Sequence, residues 1–144
     1  MRLTVRTNLA MRTLMFCAVN TGRTVRRHEI AQACNASENH LAQVIHLMAQ
    51  HGFIRTVRGR NGGLVLGRPA ETITVGEVFR TFEAPVPFAD CFVPQGCSCP
   101  LMESCRLRGS LTTALDALYG ALDRVSLSDL VRDNRGLDAL LAVA

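Results

Sequence analysis

Apolar side chains at Leu9, Met11, Leu14, Met15 and Ala18 recur at helical spacing, so the chain opens on an amphipathic helix over residues 8–19. Thr7 is placed as its N-cap, and Asn20-Thr-Gly22 ends it. A short helix over His28–Cys34 follows, then the turn Asn35-Ala-Ser37, where Ser37 is positioned to cap the next helix. That helix runs from Glu38 to about His51 and carries a buried stripe of Leu41, Val44, Ile45 and Met48. Its opposite face holds Asn39, Gln43, His46 and Gln50, with His40 and Leu47 flanking it. Leu47 is expected to pack against a neighbouring element, and Gly52 stops the helix.

The pattern then changes period. Phe53–Val57 reads as a strand and Leu64–Leu66 as its return. Between them Arg58-Gly-Arg-Asn-Gly-Gly63 supplies the Gly and Asn that a tight hairpin turn requires. Two helices joined by a short turn and followed at once by an Arg-tipped hairpin read as a winged helix-turn-helix. The second helix is then the recognition helix, and its Asn, Gln and His face suits hydrogen-bond readout of base edges. Pro69 closes the wing and Thr74 caps a short helix over Val75–Phe82. Later, Leu107, Leu111, Leu115, Leu118, Leu122 and Val125 recur at intervals of four, four, three, four and three. This is one long helix with a near-heptad seam, suited to pairing with its own copy in a twofold dimer. Ser126–Val131 reads as a short capping turn and helix. The expected fold class is therefore mainly α with a small β-hairpin: a winged helix-turn-helix plus a long C-terminal dimerisation helix. The expected divisions are a DNA-binding domain over 1–82, a cysteine-rich loop over 83–106, the dimerisation helix and cap over 107–131, and a loose tail over 132–144. In that tail Leu137–Val143 has room for a helical turn. The loop is expected to be the only link between the winged helix and the dimer helix.

Charge sharpens the picture. All sixteen basic residues are Arg. Residues 1–70 hold ten of them against Glu29 and Glu38, while residues 71–144 hold six against ten acids. A basic first half points to a polyanion partner, and Arg suits both phosphate and bidentate base contacts. No apolar stretch is long enough to span a bilayer, and the run Leu14–Val19 is too short for an export signal, so a cytoplasmic protein is expected. Catalysis finds little support: His28, His40, His46 and His51 have no nucleophile or carboxylate partner nearby in sequence, and no enzyme is expected.

Four of the six cysteines, Cys91, Cys97, Cys99 and Cys105, fall within fifteen residues that Pro94, Gly96 and Pro100 interrupt. Disulfides are disfavoured in a reducing compartment. Gaps of five, one and five residues fit paired zinc knuckles poorly. An iron–sulfur cluster tolerates such spacing and is preferred, with zinc as the alternative. Cys17 and Cys34 sit alone in apolar helical patterns and read as inert buried thiols.

Together these residues resemble the iron–sulfur winged-helix repressor family that includes NsrR, IscR and RirA. The matching pieces are Met1-Arg-Leu-Thr4, Ser37-Glu-Asn-His-Leu41, Val57-Arg-Gly-Arg-Asn-Gly-Gly-Leu64, Cys99-Pro-Leu with Cys105-x-Leu107, and Leu127-Ser-Asp-Leu130. Asn39-His40-Leu41 is most similar to the NsrR branch, whose members sense nitric oxide. The eight-residue step from Cys91 to Cys99 looks equally like RirA, the iron-responsive branch. The resemblance implies a homodimeric repressor that reads a palindromic DNA operator through Ser37, Asn39, His40, Gln43, Arg58, Arg60 and Asn61. It implies a cluster, [4Fe–4S] rather than [2Fe–2S], held by Cys91, Cys99 and Cys105. The fourth ligand would be Asn8 of the partner subunit, where the family has an acid, or Cys97. Nitric oxide is the favoured signal, with iron status as the alternative. The readings set against this are a redox protein using the same cluster and a zinc-stabilised DNA-binding protein without sensing.

Overall fold

The computed structural model describes residues 3–93 and 97–143. Met1 and Arg2 of the opening motif, and the Pro94 and Gly96 breaks, lie outside the described residues. Helix α1 (Val5–Val19) starts a turn earlier than expected. Its N-cap is Thr4, whose hydroxyl accepts from the Thr7 amide. Thr7 itself is fully buried within the first turn, because a carboxylate from elsewhere in the chain satisfies its hydroxyl.

Helix α2 (Arg27–Ala33) and helix α3 (Glu38–Gln50) form the helix-turn-helix. Asn35 takes the left-handed turn at φ 48°, a conformation its short amide tolerates. Ser37 caps α3 as expected, accepting from the His40 amide. The stripe Leu41, Val44, Ile45 and Met48 is buried, and with Leu14, Ile30 and Phe53 it forms the centre of the core. Leu47 is half-buried and packs on that core.

Strands β1 (Ile54–Val57) and β2 (Gly63–Leu66) pair antiparallel, with Ile54 opposite Leu66 and Val57 opposite Gly63. Val25 exchanges both backbone hydrogen bonds with Leu64, at 2.9 and 2.7 Å, which ties the wing to the segment before α2. Gly63 permits this approach: a β-carbon there would stand 2.5 Å from the Val25 carbonyl oxygen.

Helix α4 (Val75–Glu83) is capped by Thr74 as expected. Two short 3₁₀ turns, Asp90–Phe92 and Met102–Ser104, then lead to helix α5 (Arg106–Leu122). The long helix ends before Val125, because that residue's carbonyl is already bonded to the Val75 amide at 2.9 Å. Helix α6 (Leu127–Val131) begins with a Ser126–Asp129 capping box, and its Leu127 is buried in the core. The chain beyond α5 therefore returns to the winged helix, and the cysteine loop is not its only link to α5.

The residues read as a loose tail hold a further helix, α7 (Arg135–Leu141), capped by Asn134. Buried Asn20 donates to the Leu141 carbonyl and accepts from the Val143 amide, which docks this segment on the end of α1. In contrast, α5 has no buried residue along its length. Leu111, Leu115, Leu118 and Leu122 are only half-covered, and Leu107 is 66% exposed.

Candidate nucleic-acid interface and metal centre

The recognition helix presents its polar face outward. Asn39, His40, Gln43, His46 and Gln50 are all exposed on α3. Ser37 lies at the N-terminal end of that face, with its hydroxyl engaged in capping. The wing turn exposes Arg58, Arg60 and Asn61. Among the described residues the ion pairs involve Arg23, Arg27, Arg68 and Arg80, which leaves the Arg58 and Arg60 guanidiniums available for an outside anion. The Thr24 hydroxyl holds the Asn61 carbonyl at 3.0 Å, and Gly59 supplies the left-handed bend at φ 113°. The wing tip is thus aimed by backbone while its charged ends remain free. Such an arrangement can lay guanidinium groups along phosphates while α3 offers amides and imidazoles to base edges.

One residue near this face is not apparent from local sequence patterns. Arg6 on α1 lines a groove of about 230 Å³ together with Val5, Leu9, His40, Gln43 and Val44. It is exposed, and only the packing of α1 on α3 brings it beside His40 and Gln43. No spacing rule within one helix connects positions so far apart in the chain.

The cysteines divide as expected by burial. Cys17 and Cys34 are buried in the core. Burial pushes the Cys17 thiol up to about 12, with Cys34 adding to the rise and Arg23 opposing it. Burial also raises Cys34. These are protonated, unreactive thiols under ordinary conditions.

Cys91, Cys97, Cys99 and Cys105 are free and half-buried, between α4 and α5. Cys91 sits in the first 3₁₀ turn, where its carbonyl accepts from the Arg108 guanidinium at 3.1 Å. Arg108 also lies over the Phe92 ring, 5.9 Å from its centroid, and Phe92 packs edge-on against Phe88. The Cys99 carbonyl closes the turn to Met102. Cys105 is the N-cap of α5, where unpaired amides favour a negatively charged ligand. The donor chemistry fits an iron–sulfur cluster: four accessible thiols in one segment, none consumed by a disulfide. Their convergence is a separate matter. Among the described residues, no three His, Cys, Asp or Glu side chains stand together as a metal-binding group. Asn8 is exposed, one turn into α1.

No helix among the described residues is long and apolar enough to cross a membrane. Residues 3–133 match the Rrf2 family, described as iron-dependent transcriptional regulators. The chain is 40% identical over 143 residues to the HTH-type transcriptional regulator NsrR of Geobacillus kaustophilus, covering 98% of this chain and 97% of that protein. It is likewise 40% identical to Protein aau3 of Rhizobium meliloti, over 99% of this chain and 93% of that one. Among solved structures it is similar to CymR, the global cysteine regulator of B. subtilis, with a TM-score of 0.72 and 25% identity. That likeness covers 91% of this chain and 96% of CymR. These relatives agree with the winged-helix architecture and with the resemblance to the NsrR branch. The chain belongs to the Rrf2 family of transcriptional regulators, and it is a regulator rather than an enzyme.

Proposed function

We propose that this protein is a cytoplasmic repressor whose operator affinity is set by a labile iron–sulfur cluster in the cysteine-rich loop between α4 and α5. The observation that carries the reading is the position of that loop. It joins α4 of the DNA-binding core to α5, a helix whose leucine seam is only half-covered, and its last cysteine is the N-cap of α5. Cys91, Cys99 and Cys105 would hold the cluster, [4Fe–4S] in this reading, with Asn8 of the partner subunit or Cys97 as fourth ligand. A cluster held there would supply thiolate-coordinated iron, reactive towards nitric oxide and dependent on iron supply.

Two copies pair along Leu111, Leu115, Leu118 and Leu122, and present their α3 helices to successive major grooves of a palindromic operator. Ser37, Asn39, His40 and Gln43 face the bases. Arg58, Arg60 and Asn61 lie along the flanking backbone. Pinning the loop at three thiols fixes the spacing of the two α3 helices, and half-site geometry tolerates little error. Release of the loop lowers affinity without dissolving the dimer, since the seam contains no ligand.

Nitric oxide is the signal this reading favours, on the resemblance to the NsrR branch. The iron-responsive alternative draws on the family's description as iron-dependent and on the eight-residue step from Cys91 to Cys99. The test is iron and sulfide analysis after anaerobic purification of six single Cys→Ala variants. The expected result is a brown wild type, loss of the cluster on changing Cys91, Cys99 or Cys105, and its retention on changing Cys17, Cys34 or Cys97. A colourless zinc protein would contradict the reading. A colourless Cys97 variant would identify Cys97 as a ligand.

A further inference from the structure

Three donors from the start of α1 converge on one oxygen. The Oε1 atom of Glu83 accepts from the Thr4 amide at 3.0 Å, from the Thr4 hydroxyl at 2.9 Å and from the Thr7 hydroxyl. Thr7 is fully buried while Thr4 and Glu83 are half-buried, so the contact is partly enclosed. The carboxylate lies at the N-terminal end of α1, where negative charge is favoured.

Glu83 is the last residue of α4, and the cysteine loop begins at the next position. Its main-chain carbonyl accepts from the Val86 amide at 2.8 Å, in the first turn of the loop. The side chain therefore grips α1 while the backbone holds the start of the loop. On the α1 side the gripped turn carries Arg6, which lines the groove with His40 and Gln43 of the recognition helix. Asn8 is in the same turn, its amide donating to the Thr4 carbonyl at 3.1 Å.

We infer that Glu83 is a positioning residue that couples the cysteine loop to the first helix, and through Arg6 to the DNA face of α3. The inference rests on the proposed control by the cluster and names the contact that transmits it. When the loop is pinned, Glu83 is fixed at the end of α4, and the first turn of α1 is fixed with it. When the loop is free, the last turn of α4 can shift, and the start of α1 shifts with it because three hydrogen bonds tie them. Severing the tie leaves the cluster in place and stops its state from reaching α1.

Glu83→Ala removes the acceptor, Glu83→Gln retains an accepting Oε1, and Thr7→Val removes one donor at nearly constant volume. Each variant is measured as the full-length dimer, loaded with cluster and free of it. The readouts are operator affinity, iron content, melting temperature and hydrogen exchange of the Thr4–Leu9 amides. In the wild type the two forms are expected to differ in affinity by about 5- to 150-fold. Glu83→Ala is expected to bring them within about twofold, at unchanged iron content, with equally fast exchange of the α1 amides in both forms. Thr7→Val shows an intermediate ratio, and Glu83→Gln restores most of the wild-type ratio. A purely structural role would lower the melting temperature and leave the ratio intact, and that result in Glu83→Ala or Thr7→Val overturns the inference. If Glu83→Ala fails to fold, the ratio in Thr7→Val decides. Equal affinities of the two wild-type forms would overturn the proposed control by the cluster, and this inference with it.

Discussion

Asp123, the residue that closes α5, occupies the space left open by Gly76 in the first turn of α4. A β-carbon at Gly76 would overlap the Asp123 carboxylate and stand 2.9 Å from its backbone nitrogen. Arg80, one turn further along α4, grips both oxygens of that carboxylate at 2.6 and 2.7 Å and lies over the Tyr119 ring. Helix α5 is therefore anchored to α4 at its C-terminal end, while the cysteine loop leads into its N-terminal end. A helix of this length spans roughly 25 Å, so a small rotation about the Gly76–Asp123 anchor displaces the Cys105 end appreciably.

Gly76→Ala is expected to destabilise the fold by about 1–3 kcal/mol, because both the carboxylate and the backbone of Asp123 must move. Adding Asp123→Ala should recover part of the loss and leave the part due to the backbone. Urea denaturation of the single and double variants measures both. An unchanged midpoint for Gly76→Ala would show that α5 is not seated on α4 in this way.

The wing and the recognition helix should fail differently. Arg58→Ala or Arg60→Ala is expected to weaken binding to every sequence and to reduce the salt slope by about 1 for each phosphate no longer neutralised. Asn39→Ala or Gln43→Ala should instead relax discrimination at one base position by about 1–3 kcal/mol. Binding titrations over a salt series, on operator and on scrambled DNA, separate the two. A wing variant with unchanged affinity and slope would contradict the docking.

Leu115→Glu and Leu118→Glu test the seam. Neither residue belongs to the buried core, so the winged helix should keep its melting behaviour as a monomer. Sedimentation is expected to show half the wild-type mass, with loss of operator binding. A variant that remained dimeric would place the dimer interface elsewhere.

Acid should loosen the C-terminal anchor. A hydrogen bond from Arg80 holds the Asp123 carboxyl below the ordinary aspartate value of 3.8. Bonds from the Ser126 amide and hydroxyl do the same for Asp129. Both pKa values are depressed by folding, so their contribution is present above 3.8 and is lost as pH falls through the lower folded values. The difference in melting temperature between wild type and Asp129→Asn should therefore shrink below pH 3.8. A pH-independent difference would mean that the carboxylate charge contributes nothing to the cap.

Features carried by local spacing were legible in the sequence. The stripe Leu41, Val44, Ile45 and Met48, the caps Ser37 and Thr74, and the Arg-tipped turn each depend on neighbours within a few residues. What escaped depends on distant partners. Thr7 looks like a cap until Glu83, 76 positions away, satisfies its hydroxyl and lets it be buried. Residues 135–141 look like a loose tail until Asn20 supplies hydrogen bonds to their end. Val125 fits the leucine period but is diverted by the Val75 amide. Arg6 carries no local signal, since only the packing of α1 on α3 brings it beside His40. The cysteines were legible as a thiol-rich loop from composition, whereas their assignment as ligands came from the family resemblance.

The most direct test of cluster-controlled repression is anaerobic operator binding by the cluster-loaded dimer, the same protein after nitric oxide, and the same protein after iron chelation, with mass measured alongside. An unchanged dimer mass is expected in all three states. Operator affinity is expected to be about 5- to 150-fold lower once the loop is released, with nitric oxide acting at once and chelation slowly. Equal operator affinity of the loaded and cluster-free dimers would contradict control by the cluster.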